Sequence, residues 1–101
     1  MRVTTPEIGA ICQSRQGRDK GRYYIISEVL SGECVLVTDG NFKRLAAPKK
    51  KNVKHLKLLP EKAESIAIKL VGGEKVFDTE IYSALKSYNY PKPAGESPDD
   101  K

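Results

Sequence analysis

Residues 8 to 29 decide the fold: Ile8-Gly9-Ala10-Ile11-Cys12-Gln13, Ser14-Arg15-Gln16, Gly17-Arg18-Asp19-Lys20-Gly21-Arg22, and Tyr23-Tyr24-Ile25-Ile26-Ser27-Glu28-Val29. The outer pieces carry alternating apolar, β-branched and aromatic residues that fit a pleated surface. They predict strands over Ile8–Gln13 and Tyr23–Val29. Between them, glycines at 17 and 21 admit the positive φ of a tight reversal. The segment from Gly17 to Arg22 places three cations in six positions, so Arg18, Lys20 and Arg22 are expected at a narrow loop tip. Long cations on such a tip can meet phosphates spaced along a nucleic-acid strand. A soluble hairpin is the plainer account of the same residues.

Working outward, Ser31-Gly32-Glu33 turns the chain into a strand over Cys34–Val37, and Asp39-Gly40-Asn41 marks a hairpin whose return is expected at Lys43–Ala46. Pro48 has no N–H for a ladder, and period-two alternation resumes over Val53–Lys57. Five short strands in about 50 residues is the density of a small closed barrel. Beyond Pro60 the period changes. Ala63, Ile66, Ala67 and Leu70 share one helical face, and Gly72-Gly73 should end that helix. Ile81, Ala84, Leu85 and Tyr88 repeat the spacing behind a cap from Asp78 or Thr79. Two helices this short are unstable alone, so they should form a hairpin packed on itself or on the strands. From Pro91 on, Pro, Gly, Ser and acids predict a disordered tail. The expected division is therefore a barrel over residues 1–58, a helical hairpin over 59–90 and a tail over 91–101.

The 101 residues suit one small core, and the formal charge of +5 favours a polyanionic partner. That charge is unevenly placed. Residues 1–57 hold 12 Lys plus Arg against 5 Asp plus Glu, a net of +7, whereas residues 58–101 hold 6 against 8, a net of −2. No apolar run approaches a membrane span and no signal-peptide core follows Met1, so a cytoplasmic location is expected. Cys12 and Cys34 sit singly in predicted strands without metal-ligand spacing, and read as small buried apolar residues. No metal or cofactor is expected.

Ile8 to Cys12 before the glycine turn, Lys20-Gly21 within it and Arg22 to Ile26 after it together resemble a KOW motif. The resemblance implies a mainly β fold, a small five-stranded SH3-like barrel, here with a C-terminal two-helix hairpin. Leu36 to Gly40 and Pro48 to Leu56 extend the likeness to small bacterial KOW-domain RNA-binding proteins, relatives of KOW-bearing large-subunit ribosomal proteins of archaea and eukaryotes. It covers about residues 8 to 58. The helices from Leu59 onward lie outside a minimal KOW barrel.

The candidate RNA contacts are Arg15, Arg18, Lys20, Arg22, Lys43, Arg44, Lys49, Lys50, Lys51 and Lys54. Arginine offers a planar fork to phosphates or base edges and lysine a point charge. Lys49–Lys51 are read as an exposed basic loop, so replacing them with alanine should weaken RNA binding without altering thermal stability. A localisation signal is the other reading of that run. Tyr23 and Tyr24 face opposite ways, so at most one can stack on a base. His55 has no Ser, Cys or acid partner motif and no phosphate-binding glycine loop is present, which argues against an enzyme. Asp99 and Asp100 fall in the expected tail, where nothing would shift a carboxyl pKa. The expected role is an RNA-binding module, ribosome-associated, with ribosomal RNA and ribosomal proteins as partners and no small-molecule substrate. The alternative is a protein adaptor that docks through the barrel edge or the helical hairpin.

Overall fold

In the computed structural model, residues 6–90 are described. The strands are β1 (Ala10–Ser14), β2 (Tyr23–Val29), β3 (Cys34–Thr38), β4 (Lys49–Asn52) and β5 (Leu56–Lys62), with a single 3₁₀ turn at Val53–His55 between the last two. Helices α1 (Glu64–Gly72) and α2 (Asp78–Asn89) follow. The expected disordered tail lies outside the described residues.

The strands form one antiparallel sheet in the order β4-β3-β2-β1-β5. Among the described residues β4 and β5 are its two edges and no ladder joins them, so hydrogen bonds do not close the expected barrel. The sheet nonetheless curls. Leu56 from one edge strand packs in the same core as Val35 and Val37 from beside the other, together with Cys12, Tyr24 and Ile26. The opposite face presents Ile11 and Ile25, partners across β1 and β2, to Ile66 of α1 and to Ile81 and Leu85 of α2. Burying each such side chain contributes roughly 1.5–3 kcal/mol, enough to hold helices that would melt alone.

Three strand expectations are corrected. The one over Val53–Lys57 keeps only Leu56 and Lys57, because Val53–His55 is the 3₁₀ turn, where the Asn52 side chain accepts from the Lys54 amide. Lys43–Ala46 is not a strand, because its backbone is already committed. Asp39 Oδ1 accepts from the Asn41 and Lys43 amides at 2.9 and 2.8 Å, the Lys43 carbonyl accepts from the Asp39 and Gly40 amides, and Leu45 N–H donates to Asp78 Oδ1 at 2.7 Å. The ladder with β3 instead falls to Lys49–Asn52, with Val37 opposite Lys49 and Val35 opposite Lys51. Pro60, expected to end the strand pattern, lies inside β5. An edge strand tolerates a missing N–H, and the register between β1 and β5 shifts over this stretch, from Cys12 opposite Leu58 to Ala10 opposite Lys62.

Two glycines set how closely the helices approach. A Cβ on Gly9 would lie 2.3 Å from Ala67 Cβ of α1, and one on Gly40 would lie 2.3 Å from the Asp78 carbonyl oxygen of α2. Both also have positive φ, +90° and +76°. Gly73 ends α1 in the left-handed conformation, its N–H on the Leu70 and Lys69 carbonyls. Asp78 does not cap α2, since its carboxylate reaches Leu45; instead Phe77 N–H donates to Glu80 Oε2 at 3.2 Å. Lys69 Nζ, 2.9 Å from Glu80 Oε1, ties the two helices together.

Candidate nucleic-acid interface

The Gly17–Arg22 turn is held from within. Gly17 and Gly21 both have φ of +93°, Lys20 N–H donates to the Gly17 carbonyl, Arg22 N–H to that of Asp19 and Gly21 N–H to that of Ser14. Asp19 points back into the curl of the sheet. Its Oδ1 accepts from Ser14 Oγ at 2.7 Å and Lys51 Nζ at 3.1 Å, and its Oδ2 from the Tyr24 hydroxyl at 2.7 Å and Lys49 Nζ at 3.1 Å. Burial alone would raise the Asp19 pKa, but the hydrogen bonds from Tyr24, Ser14, Lys51 and Lys49 outweigh it and hold the carboxyl well below the usual range. Burial, followed by the Asp19 bond and charge, pushes the Tyr24 hydroxyl up. Burial also pushes the Cys12 thiol up to about 12 against the charge of Lys51, so it is no reactive thiolate. Both cysteines are free, Cys12 buried and Cys34 partly so.

The run Lys49–Lys51 is therefore a strand, not the expected exposed loop. Its odd members share the inner face with Val35 and Val37; Lys51 is only 9% exposed. Inward charges on an edge strand oppose pairing with a further strand, which accounts for lysine at these positions. The expectation that all three lysines can be removed without thermal cost does not fit this network. Lys50, opposite Leu36, points outward and is exposed.

Arg22 is the third committed cation. Its Nη1 lies 3.5 Å from Asp39 Oδ2, and its guanidinium sits 4.6 Å from the ring centre of Phe42. Among the described residues Arg15, Arg18, Lys20, Lys43, Arg44, Lys50 and Lys54 form no salt bridge, and all of them except the half-buried Lys43 are exposed. Arg15 N–H donates to the His55 carbonyl at 2.8 Å, bringing Arg15 beside the turn that carries Lys54. Arg18, Lys20 and Arg22 meet around a depression of about 260 Å³ that also touches Tyr88 and Asn89 of α2.

Tyr88 and Asn89 had no functional reading in the sequence. β3 pairs with β2 only as far as Ile25 opposite Thr38, so the outward N–H and C=O of Tyr23 lie past its end. Asn89 takes both: Tyr23 N–H donates to its Oδ1 at 2.8 Å and its Nδ2 donates to the Tyr23 carbonyl at 3.2 Å. The Tyr23 ring packs on Tyr88 with centres 5.1 Å apart, and Tyr24 is buried. Tyr24 is thus closed to a base, and Tyr23 is half-buried against Tyr88. The exposed aromatic here is Phe42, whose only sequence signal was its place just after the Asp39-Gly40-Asn41 turn.

No family model matches the chain. It is similar to the large ribosomal subunit protein eL14 of Hyperthermus butylicus, 32% identical over 56 residues that make up 55% of this chain and 57% of the relative. The chain thus spans a little over half the length of that ribosomal protein. Among the described residues no helix is long and apolar enough to cross a membrane.

Proposed function

We propose that this chain is a ribosome-associated RNA-binding module whose curled sheet is an open SH3-like barrel of the KOW type. The observation that carries the reading is the braced turn: Asp19 is turned inward, while Arg18 and Lys20 stand exposed on a glycine-bounded tip, without a salt bridge among the described residues. A pre-ordered tip loses little loop freedom on binding. Arg15, Arg44, Lys50 and Lys54 add exposed charge, and similarity to a ribosomal protein agrees with a ribosomal RNA target in the cytoplasm.

Phosphate capture releases counterions. If about four phosphates are neutralised, the slope of log affinity against log salt should be about −2.8 to −3.6, measured by anisotropy on a ribosomal RNA fragment. A flat salt dependence would sink the reading. Crosslinking followed by sequencing of the bound RNA should give a dominant ribosomal RNA site.

One observation favours the adaptor reading as well. Ile68 and Val71 of α1 are exposed and line one shallow depression with Ala67. Ile68→Lys should abolish ribosome association while leaving RNA affinity intact if this face docks a protein.

A further inference from the structure

We propose that Arg22 and Phe42 form a stacking site for one unpaired RNA base, with Arg18 and Lys20 receiving the phosphates beside it; this rests on the RNA-binding reading above. Phe42 is 64% exposed on the loop between β3 and β4, its ring in contact with the Arg22 guanidinium. A large exposed ring beside a cation offers what an unstacked base uses, an apolar face and a guanidinium plane.

Both partners are fixed before any ligand arrives. Asp39 is 2% exposed, its Oδ1 is occupied by the loop amides of Asn41 and Lys43, and its Oδ2 has no hydrogen-bond partner among the described residues. Among the described residues its salt-bridge partner is Arg22, 3.5 Å from that second oxygen. Asp39 is thus a positioning residue for the guanidinium. The Phe42 loop is anchored in turn by Gly40, seated against the α2 backbone, and by the Leu45–Asp78 hydrogen bond. Arg22 also lines the depression that presents Arg18 and Lys20, where the neighbouring phosphates of an extruded nucleotide would fall. Paired bases already stack on their neighbours and cannot offer a face, so the site selects bulges and loops over continuous duplex.

The test uses the full chain and two labelled RNA hairpins that differ only in one bulged base, with affinity read by anisotropy at fixed salt. The wild type should prefer the bulged hairpin. Phe42→Ala should reduce that preference by about 5- to 150-fold, the worth of one stacked base, while affinity for the paired hairpin stays near wild type. Phe42→Trp should restore the preference, and Arg22→Lys, which keeps the charge but loses the plane, should lower it. Equal affinity for the two hairpins, unchanged in Phe42→Ala, overturns the stacking site but leaves the RNA-binding reading standing. Failure to bind either hairpin overturns both.

Discussion

Lys51 and Lys20 are the same side chain in opposite circumstances. Lys51 lies on the inner face of an edge strand, its ammonium 3.1 Å from Asp19 and 3.1 Å from Ser14 Oγ. Lys20 stands on the outer side of the turn that Asp19 anchors, exposed and without a salt bridge among the described residues. Asp19 separates Lys49 and Lys51 from the cations of its own turn. The two lysines it reaches brace the loop, whereas Arg18 and Lys20 face the solvent. Cation count alone therefore overstates the binding surface, and the strand phase shows which charges belong to the interior.

The sharpest way to break this contrast is Lys51→Ala. Removing one partner of a mostly buried pair leaves Asp19 short of a counterion, which should cost on the order of 3 kcal/mol and lower the melting temperature by more than about 10 °C. A melting curve like the wild type would move Lys51 into the surface population.

Acid titration reads the same network without mutation. Unfolded Asp19 takes up its proton near the ordinary carboxylate pH of about 4, whereas folded Asp19 does so only well below that. In the window between, the unfolded state binds more protons, so stability falls as pH falls; above it the contribution is complete. Denaturant midpoints from neutral pH downward should show this loss, and Asp19→Asn, less stable at neutral pH, should show a shallower one.

Gly40→Ala tests whether the helices are part of the loop's support. The added Cβ meets the α2 backbone at positive φ, and a loss on the order of 2 kcal/mol is expected in chemical denaturation. Negligible loss would mean that α2 can withdraw freely from the loop.

The smallest change in stability is expected from Arg18→Ala with Lys20→Ala. Surface substitutions of this kind stay within about 0.5 kcal/mol, yet each lost phosphate contact should reduce the salt slope by about 1. Loss of folding in this variant would erase the distinction between the two populations.

Much of the scaffold was legible. Tyr23–Val29 is the expected strand residue for residue, and Gly73 ends the first helix within the expected Gly72-Gly73 pair. Local chemistry suffices there, because β-branched runs and left-handed glycines act through their own backbones. The fourth strand was misplaced because three successive lysines carry no apolar alternation. Their inner and outer phase is set by Val35 and Val37 across the ladder. Pro60 was misread for a similar reason: whether a strand needs its amide depends on being at an edge, which is a property of the sheet. Asn89 could not be assigned at all, since its partner Tyr23 is 66 residues away.

By itself the sequence determined the glycine-bounded turn, the apolar faces of both helices and the concentration of positive charge before residue 58, because each depends on neighbours within a few positions. Tertiary structure alone decided that Lys49 and Lys51 turn inward to Asp19, that Arg22 is held between Asp39 and Phe42, and that α2 closes one side of the basic rim. Charge is written residue by residue. Its availability depends on which opposite charge the folded chain brings within about 4 Å, where pairing becomes effective.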